Sequence, residues 1–384
     1  MPQKRTRRRH PDKEGVVLAE KTRKRKAEHI EISLSQNVQA RQKTTGFEEA
    51  DFVHRVLPEI DRSKIDLSTT IFGHKFSAPL IVGALTGGTP EAAKINSTVA
   101  EAVERLGLGM GVGSQRVAIE DKRLEDTFAV VRKKAPSAFV LANLGAIQFA
   151  NGYGPREARK ALEMIEADAI AIHLNALQEA VQPEGQTNFV GILSAIGDVA
   201  RELEKPVIAK ETGAGMSAEE ARRLEEAGVK GIDVSGAGGT SWAAVEYYRA
   251  RKPVESPQRR LGDVFWDWGI PTAASLVEVC RTVHIPVIAS GGIRDGAAIA
   301  KSISLGASLT SLSQPILKAA VKGVKETCDA LSLLIEELRN AMFLVGAGNV
   351  QALRASPVVI MGKTAEWLKA RGFSVEEYAR RGRK

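Results

Sequence analysis

Between residues 80 and 312 the chain alternates short apolar runs with longer stretches whose apolar positions recur at helical spacing. The runs predict eight strands, at Leu80–Ala84, Gly109–Gly113, Phe139–Leu144, Ala169–Leu174, Val207–Lys210, Gly231–Ser235, Val287–Ser290 and Ser308–Leu312. Between them, Pro90–Leu106, Pro155–Glu166, Ser217–Ala227 and Arg294–Leu305 read as helices. Two of these open on proline and three are closely followed by glycine, as helix ends prefer. Eight strand–helix units predict a (β/α)8 barrel rather than a doubly wound sheet. Nearly every strand ends in Gly, Ser, Asn, His or Lys, so polar groups gather on the C-terminal rim where such barrels place their sites.

Two connections are longer than the rest. Residues 175–188 follow the fourth strand, and 236–271 follow the sixth, the latter carrying Phe265-Trp266-Asp267-Trp268. Both are candidate lids, and the aromatic stretch reads equally well as a subunit contact.

Charge changes the picture only at the front. The first 26 residues carry eleven Lys/Arg against Asp12, Glu14 and Glu20, which accounts for the whole net charge of +8 and leaves 43 basic and 43 acidic residues in the body. Residues 1–22 therefore read as a solvated basic arm and 373–384 as a short basic tail. The folded part between them is formally neutral, which weakens a nucleic-acid reading of it. The arm lacks the apolar core of a signal peptide, and no apolar run reaches the 18 residues of a membrane span, so a cytoplasmic protein is expected. Cys280 and Cys328 fall in helical stretches without metal-like spacing and are expected to be reduced thiols.

Candidate chemistry concentrates at the strand ends. His173-Leu174-Asn175 to Gln178-Glu179 closes the fourth strand, offering neutral donors and acceptors beside one hard oxygen ligand, a mixture suited to an anionic, metal-bound substrate. Thr86-Gly87-Gly88, Gly113-Ser114-Gln115-Arg116, Asn143 and Lys210 follow the earlier strands. They match the needs of a flavin ring edge: donors for its carbonyls and positive charge near N1. Gly236-Ala237-Gly238-Gly239-Thr240, Gly291-Gly292-Ile293-Arg294 and Leu305-Gly306-Ala307 form a set of glycine turns suited to phosphate, against the simpler reading of tight turns.

These motifs, together with Arg25-Lys26-Ala27-Glu28-His29, Lys210-Glu211-Thr212-Gly213, Ser235 through Trp242 and Ala341-Met342-Phe343-Leu344, resemble the FMN-dependent type 2 isopentenyl-diphosphate delta-isomerases from about Arg23 to Gly372. The resemblance implies FMN held by Ala84, Leu85, Thr86, Ser114, Asn143, Lys210, Ser235, Thr240, Gly292, Ile293, Arg294, Ser313 and Gln314. It implies a diphosphate substrate met by Arg25, Lys26, His29, Ser114, Arg116 and Gln178, and Mg2+ on Glu179. It further implies NADPH as reductant and a homotetramer or homo-octamer. Gln178, His173 and Asn175 become the catalytic candidates, with His173 favoured as an orienting or diphosphate-contacting group. The sequence departs from the family pattern in its basic extension, in Gly306-Ala307-Ser308 and in Ser311-Leu312-Ser313-Gln314-Pro315, so the side chain touching the FMN phosphate there stays open.

Other readings make different demands. A 2-hydroxy-acid oxidase or dihydroorotate-type dehydrogenase needs a substrate-facing base on a strand end plus an arginine for a carboxylate. A barrel nucleotide reductase needs a cysteine in a strand-end loop, which neither Cys280 nor Cys328 supplies. RNA contact would run through the arm.

Overall fold

The computed structural model describes residues 25–250 and 256–382. Eight parallel strands close into a barrel: β1 (Leu80–Val82), β2 (Gly109–Gly111), β3 (Phe139–Gly145), β4 (Ala169–Leu174), β5 (Val207–Glu211), β6 (Gly231–Asp233), β7 (Val287–Ala289) and β8 (Leu309–Leu312). Each pairs with its neighbour in sequence, and β8 closes on β1 with Thr310 opposite Leu80. All eight lie within two residues of the runs read from sequence.

Side-chain alternation explains where the polar rim comes from. Ile81, Phe139, Leu141, Ala169, Ala171, Ile208, Ile288 and Leu309 point inward and form one apolar layer, closed from below by Phe76. The intervening residues, such as Leu80, Val140, Ile170, Val207 and Ile232, point outward into the main core under the helices. Two residues further along each strand, the inward positions are Asn143, His173, Lys210, Asp233, Ser290 and Ser311. The register places His173 opposite Lys210, and Lys210 opposite Asp233. A polar layer therefore rests directly on an apolar one.

The surrounding helices stop and start for local reasons. Pro90–Leu106 begins with Thr89 accepting from the Ala92 N–H and ends at Gly107, whose φ of +62° a side chain would resist. The helix Val324–Leu344 packs against this one and against Gly296–Leu305. Far from the site, the strand Ala50–Phe52 pairs antiparallel with Val358–Ile360, tying the front of the described chain to its end.

Three expectations change. The long connections are partly helical, containing Ala176–Val181 in the first and Trp242–Arg249 and Pro257–Val264 in the second. The expected tail from 373 is folded at least to 382: Tyr378 is 1% exposed and donates its hydroxyl to the Leu305 carbonyl, and Arg381 binds the Ser304 and Arg354 carbonyls. Gly306 ends a helix below the barrel, at the N-terminal side of β8, where a Cβ would meet Cys280, so it takes no part in a phosphate site on the rim. Both cysteines are free thiols on helices, and burial pushes Cys280 up to about 12. The expected arm, 1–22, lies outside the described residues, as do 251–255.

Candidate active site

One cavity opens at the C-terminal rim. The residues that the resemblance assigned to flavin, diphosphate, metal or catalysis all line it: Arg25, Lys26, His29, Ala84, Leu85, Thr86, Ser114, Arg116, Asn143, His173, Asn175, Gln178, Glu179, Lys210, Ser235, Thr240, Gly292, Ile293, Arg294, Ser313 and Gln314, whereas Gln115 and the glycines from Gly236 to Gly239 pack behind it.

A helix over 25–35 forms one wall, although it is remote in sequence from the barrel. It is pinned by Ile32 and Val38, buried with Ala244, Val245 and Trp266, and by Arg41 stacked 3.6 Å over the Trp266 ring. Burying an aromatic of this size removes about 150–250 Å2 from water, worth roughly 4–6 kcal/mol. Trp266 is thus an internal anchor, whereas Trp268 is 61% exposed. Ionic contacts reinforce the wall, since Arg249 reaches Glu28, Glu184 and Glu246 at once.

At this wall three cations converge. Lys26 donates to the Ser114 carbonyl at 2.7 Å and sits 5.2 Å from the Phe128 ring centre. Its depth in the protein, then Arg25 and Arg116, lower its pKa from the ordinary 10.5 to about 7. Arg116 is held by Glu120 at 2.7 Å. Arg25 lies 3.9 Å from Glu184, so the group is partly compensated, with Lys26 lacking a carboxylate partner within 4 Å among the described residues; such a convergence fits an anion of high charge.

The polar layer across the barrel mouth is a hydrogen-bonded belt. His173 Nδ1 meets Asn143 Oδ1 at 2.8 Å. Burial, followed by the charges of Lys210, Lys26 and Arg25, depresses the His173 pKa to about 3 and keeps the ring neutral. Lys210 donates to the Glu211 carbonyl at 2.9 Å and pairs with Asp233 at 3.2 Å, while Ser290 donates to the other oxygen of Asp233.

Beside the belt, Glu179 is buried and accepts from Asn175 at 2.9 Å, Gln182 at 2.6 Å and the Gln186 N–H at 2.8 Å. The amide oxygens of Asn175 and Gln182 have no hydrogen-bond partner. Gln178 hangs between Asn175 and Glu246 by two contacts of 3.5 Å, the outer limit of a hydrogen bond, so its amide is directed but not saturated. Glu246 is 1% exposed and also meets His29 at 2.9 Å.

The far end of the cavity is a backbone cradle. A Cβ on Gly239 would fall 2.4 Å from the Gly292 Cα, and one on Gly83 would meet the hydroxyls of Ser313 and Ser311 at 2.4 and 2.7 Å. Both serines, rather than Gln314, therefore face the end of β1. Gln314 instead accepts from Arg294 at 2.9 Å. At the N-terminus of the helix Gly296–Leu305, Asp295 takes the Ala298 N–H and Glu337 takes the Gly296 N–H.

Sequence reasoning missed Asp233, Glu246, Arg249 and Ser290. Asp233 left a signal as an acid inside the apolar run Ile232-Asp233-Val234, and Ser290 one as the polar end of its strand. Glu246 and Arg249 join the site through contacts between distant segments.

The family model for FMN-dependent dehydrogenases matches residues 19–143 and 155–360. The chain is 50% identical over 358 residues to an isopentenyl-diphosphate delta-isomerase of Methanosarcina barkeri, covering 93% of this chain and 97% of that one. It is 48% identical over 357 residues to the protein of that name from Methanothermobacter thermautotrophicus, covering 93% and 99%. Among solved structures it resembles a lactate oxidase of Pediococcus acidilactici (TM-score 0.60, 16% identity, 91% and 94% covered). It also resembles a mandelate oxidase variant bearing an FMN adduct (TM-score 0.56, 23% identity, 83% and 90% covered). At these identities the structural likeness speaks to the fold.

Proposed function

Because this chain belongs to the FMN-dependent dehydrogenase family and, within it, to the isopentenyl-diphosphate delta-isomerases, we propose that it interconverts isopentenyl and dimethylallyl diphosphate using reduced FMN and Mg2+. The observation that carries this reading is a single cavity joining three cations, a neutral amide–carboxylate run and a polar belt over an apolar floor.

The residues fit the flavin. The turn Gly291-Gly292 lines the cavity and leaves no room for a Cβ but would admit a phosphate to its backbone, with Gly239 packed against it and Arg294, Ser311 and Ser313 beside it. Asn143, Lys210, Ser235 and Thr240 supply donors and acceptors for the ring edge. Bound in its reduced form, FMN supplies an electron-rich face that favours positive charge at the alkene and a site for proton exchange.

The residues also fit a divalent cation. Glu179 is one buried carboxylate facing the cavity, and Mg2+ is content with one or two carboxylates completed by phosphate oxygens. The amide oxygens of Asn175 and Gln182 lie beside it as further hard acceptors. Among the described residues no three His, Cys, Asp or Glu side chains form a metal cluster, so the diphosphate would complete the ligand set.

Moving the double bond requires a proton added at the terminal carbon and another removed from the adjacent methylene, with positive charge between. Arg25, Lys26 and Arg116 hold the diphosphate at the wall formed by the helix over 25–35. His29 and Glu246 support the amide of Gln178, which holds or passes a proton without placing negative charge beside the developing cation. Neutral His173 orients substrate or flavin. Its depressed pKa makes it a poor base near neutral pH, which disfavours the hydroxy-acid oxidase reading.

NADPH as the source of reducing equivalents and a homotetramer or homo-octamer belong to the same proposal; exposed Leu261, Val264 and Trp268 offer an apolar patch for self-association. A cytoplasmic location belongs to it as well, and no described helix is long and apolar enough to cross a membrane. The test is direct. The purified protein should absorb near about 450 nm through bound flavin and, once reduced with Mg2+ present, convert isopentenyl diphosphate. A colourless protein that binds no FMN would remove the proposal.

A further inference from the structure

Asp233 does not line the cavity, yet it holds two residues that do. It is 2% exposed, at an inward position of β6 where the layer below is apolar. A carboxylate placed there loses its hydration and is retained only if fully paired. Both its oxygens are used: one by Lys210 at 3.2 Å, the other by the Ser290 hydroxyl.

The geometry has two consequences for the cavity. Lys210 has three N–H groups, of which one goes to Asp233 and one to the Glu211 carbonyl, leaving one for a ligand. Ser290 has given its only hydrogen to Asp233 and can offer the cavity lone pairs alone. The lysine brings positive charge to the rim, but its partner cancels that charge a few ångströms behind it.

We propose that Asp233 is a positioning residue for the flavin: it fixes Lys210 as a single donor and Ser290 as an acceptor, and by neutralising Lys210 it holds the reduction potential of bound FMN down. The inference rests on FMN binding as proposed above. An electrically neutral pair stabilises the anionic reduced ring less than a free lysine would. Such a device suits a reaction in which the flavin must not trade electrons with the substrate.

The test is an anaerobic redox titration of the FMN-loaded protein at pH 6.5 against a reference dye, with dithionite supplying the two electrons and water the proton. In Asp233→Asn the Lys210 charge is uncompensated, so the reduced-to-oxidised ratio at fixed potential should rise at least tenfold, equal to about 30 mV for a two-electron couple. The double variant Lys210→Met/Asp233→Asn, neutral like the intact pair, should return the ratio to within about threefold of the wild-type value. An unchanged ratio in the single variant with FMN bound, or a double variant that keeps the raised ratio, would overturn the inference.

If Asp233→Asn fails to retain FMN, the double variant decides alone. One neutral pair replaced by another should leave the ratio within about threefold of wild type, and a fall of about tenfold or more would show that the lysine acts uncompensated. Failure of the wild-type protein to bind FMN would instead strike at the function proposed above.

Discussion

Binding of a diphosphate should pull one proton onto Lys26. In the free protein its pKa lies near 7, lowered by its depth and by Arg25 and Arg116. A bound diphosphate replaces lost hydration with negative charge and should return the pKa toward its ordinary 10.5 or beyond. The sign follows. Below pH 7 the lysine is already charged and binding takes up nothing from it, whereas above pH 7 each binding event must recharge it, so affinity falls as pH rises. At pH 8 about 0.9 proton should enter per site, and the dissociation constant should rise about 50-fold between pH 7 and pH 9 through this group alone. The last phosphate ionisation, near about pH 6, is complete by then and adds little. Calorimetry with dimethylallyl diphosphate and the oxidised protein, in two buffers of different ionisation enthalpy at pH 8, reads the uptake directly. Lys26→Met should abolish it and weaken binding by roughly 1.5–3 kcal/mol. Equal heats in the two buffers, or uptake that survives in Lys26→Met, would refute the reasoning.

Glu179→Gln should raise the Mg2+ concentration needed for half-maximal rate and the KM for the diphosphate while FMN content stays constant; unchanged metal dependence would take Glu179 out of the metal site. Gln178→Asn should lower kcat by about 10^2 or more with little change in KM, as expected for loss of a proton relay, and near-normal turnover would leave the residue a packing role. His173, neutral when folded down to about pH 3 but protonated when unfolded below about 6.5, should make stability fall as pH drops through that interval; urea melts of His173→Gln at pH 7 and pH 5 should show the smaller fall. Gly239→Ala would drive its methyl into Gly292, costing about 1–3 kcal/mol of packing and releasing FMN, so a variant that keeps its flavin would clear that turn of any role in the cradle.

Much of this architecture was legible because barrel strands have a strict period. Once the apolar runs were placed, the polar residues at their ends had to share one rim, which brought Asn143, His173 and Lys210 together without any contact information. The failures have physical causes. Gly306 reads like the rim glycines, but a glycine before a strand serves the opposite end of the barrel from one after it. The C-terminal stretch looks like a basic tail because Arg380 and Arg381 dominate its composition, while its fate is set by one buried tyrosine. Glu246 joins the site through His29, 217 residues away, and no local pattern encodes such a pairing. The helix over 25–35 is a cavity wall for the same reason: its anchors, Ala244, Val245 and Trp266, lie on the far side of the sequence.

The central claim is an isomerisation in which the flavin is required in its reduced state but is not spent. It is tested most directly by following isopentenyl diphosphate by proton NMR in D2O, with Mg2+, FMN-loaded protein and a measured amount of NADPH. The account predicts conversion to an equilibrium mixture with dimethylallyl diphosphate, deuterium in the new methyl group, and many product molecules formed per NADPH oxidised. One NADPH oxidised for each product formed, or no conversion by protein that holds reduced FMN and Mg2+, would contradict it.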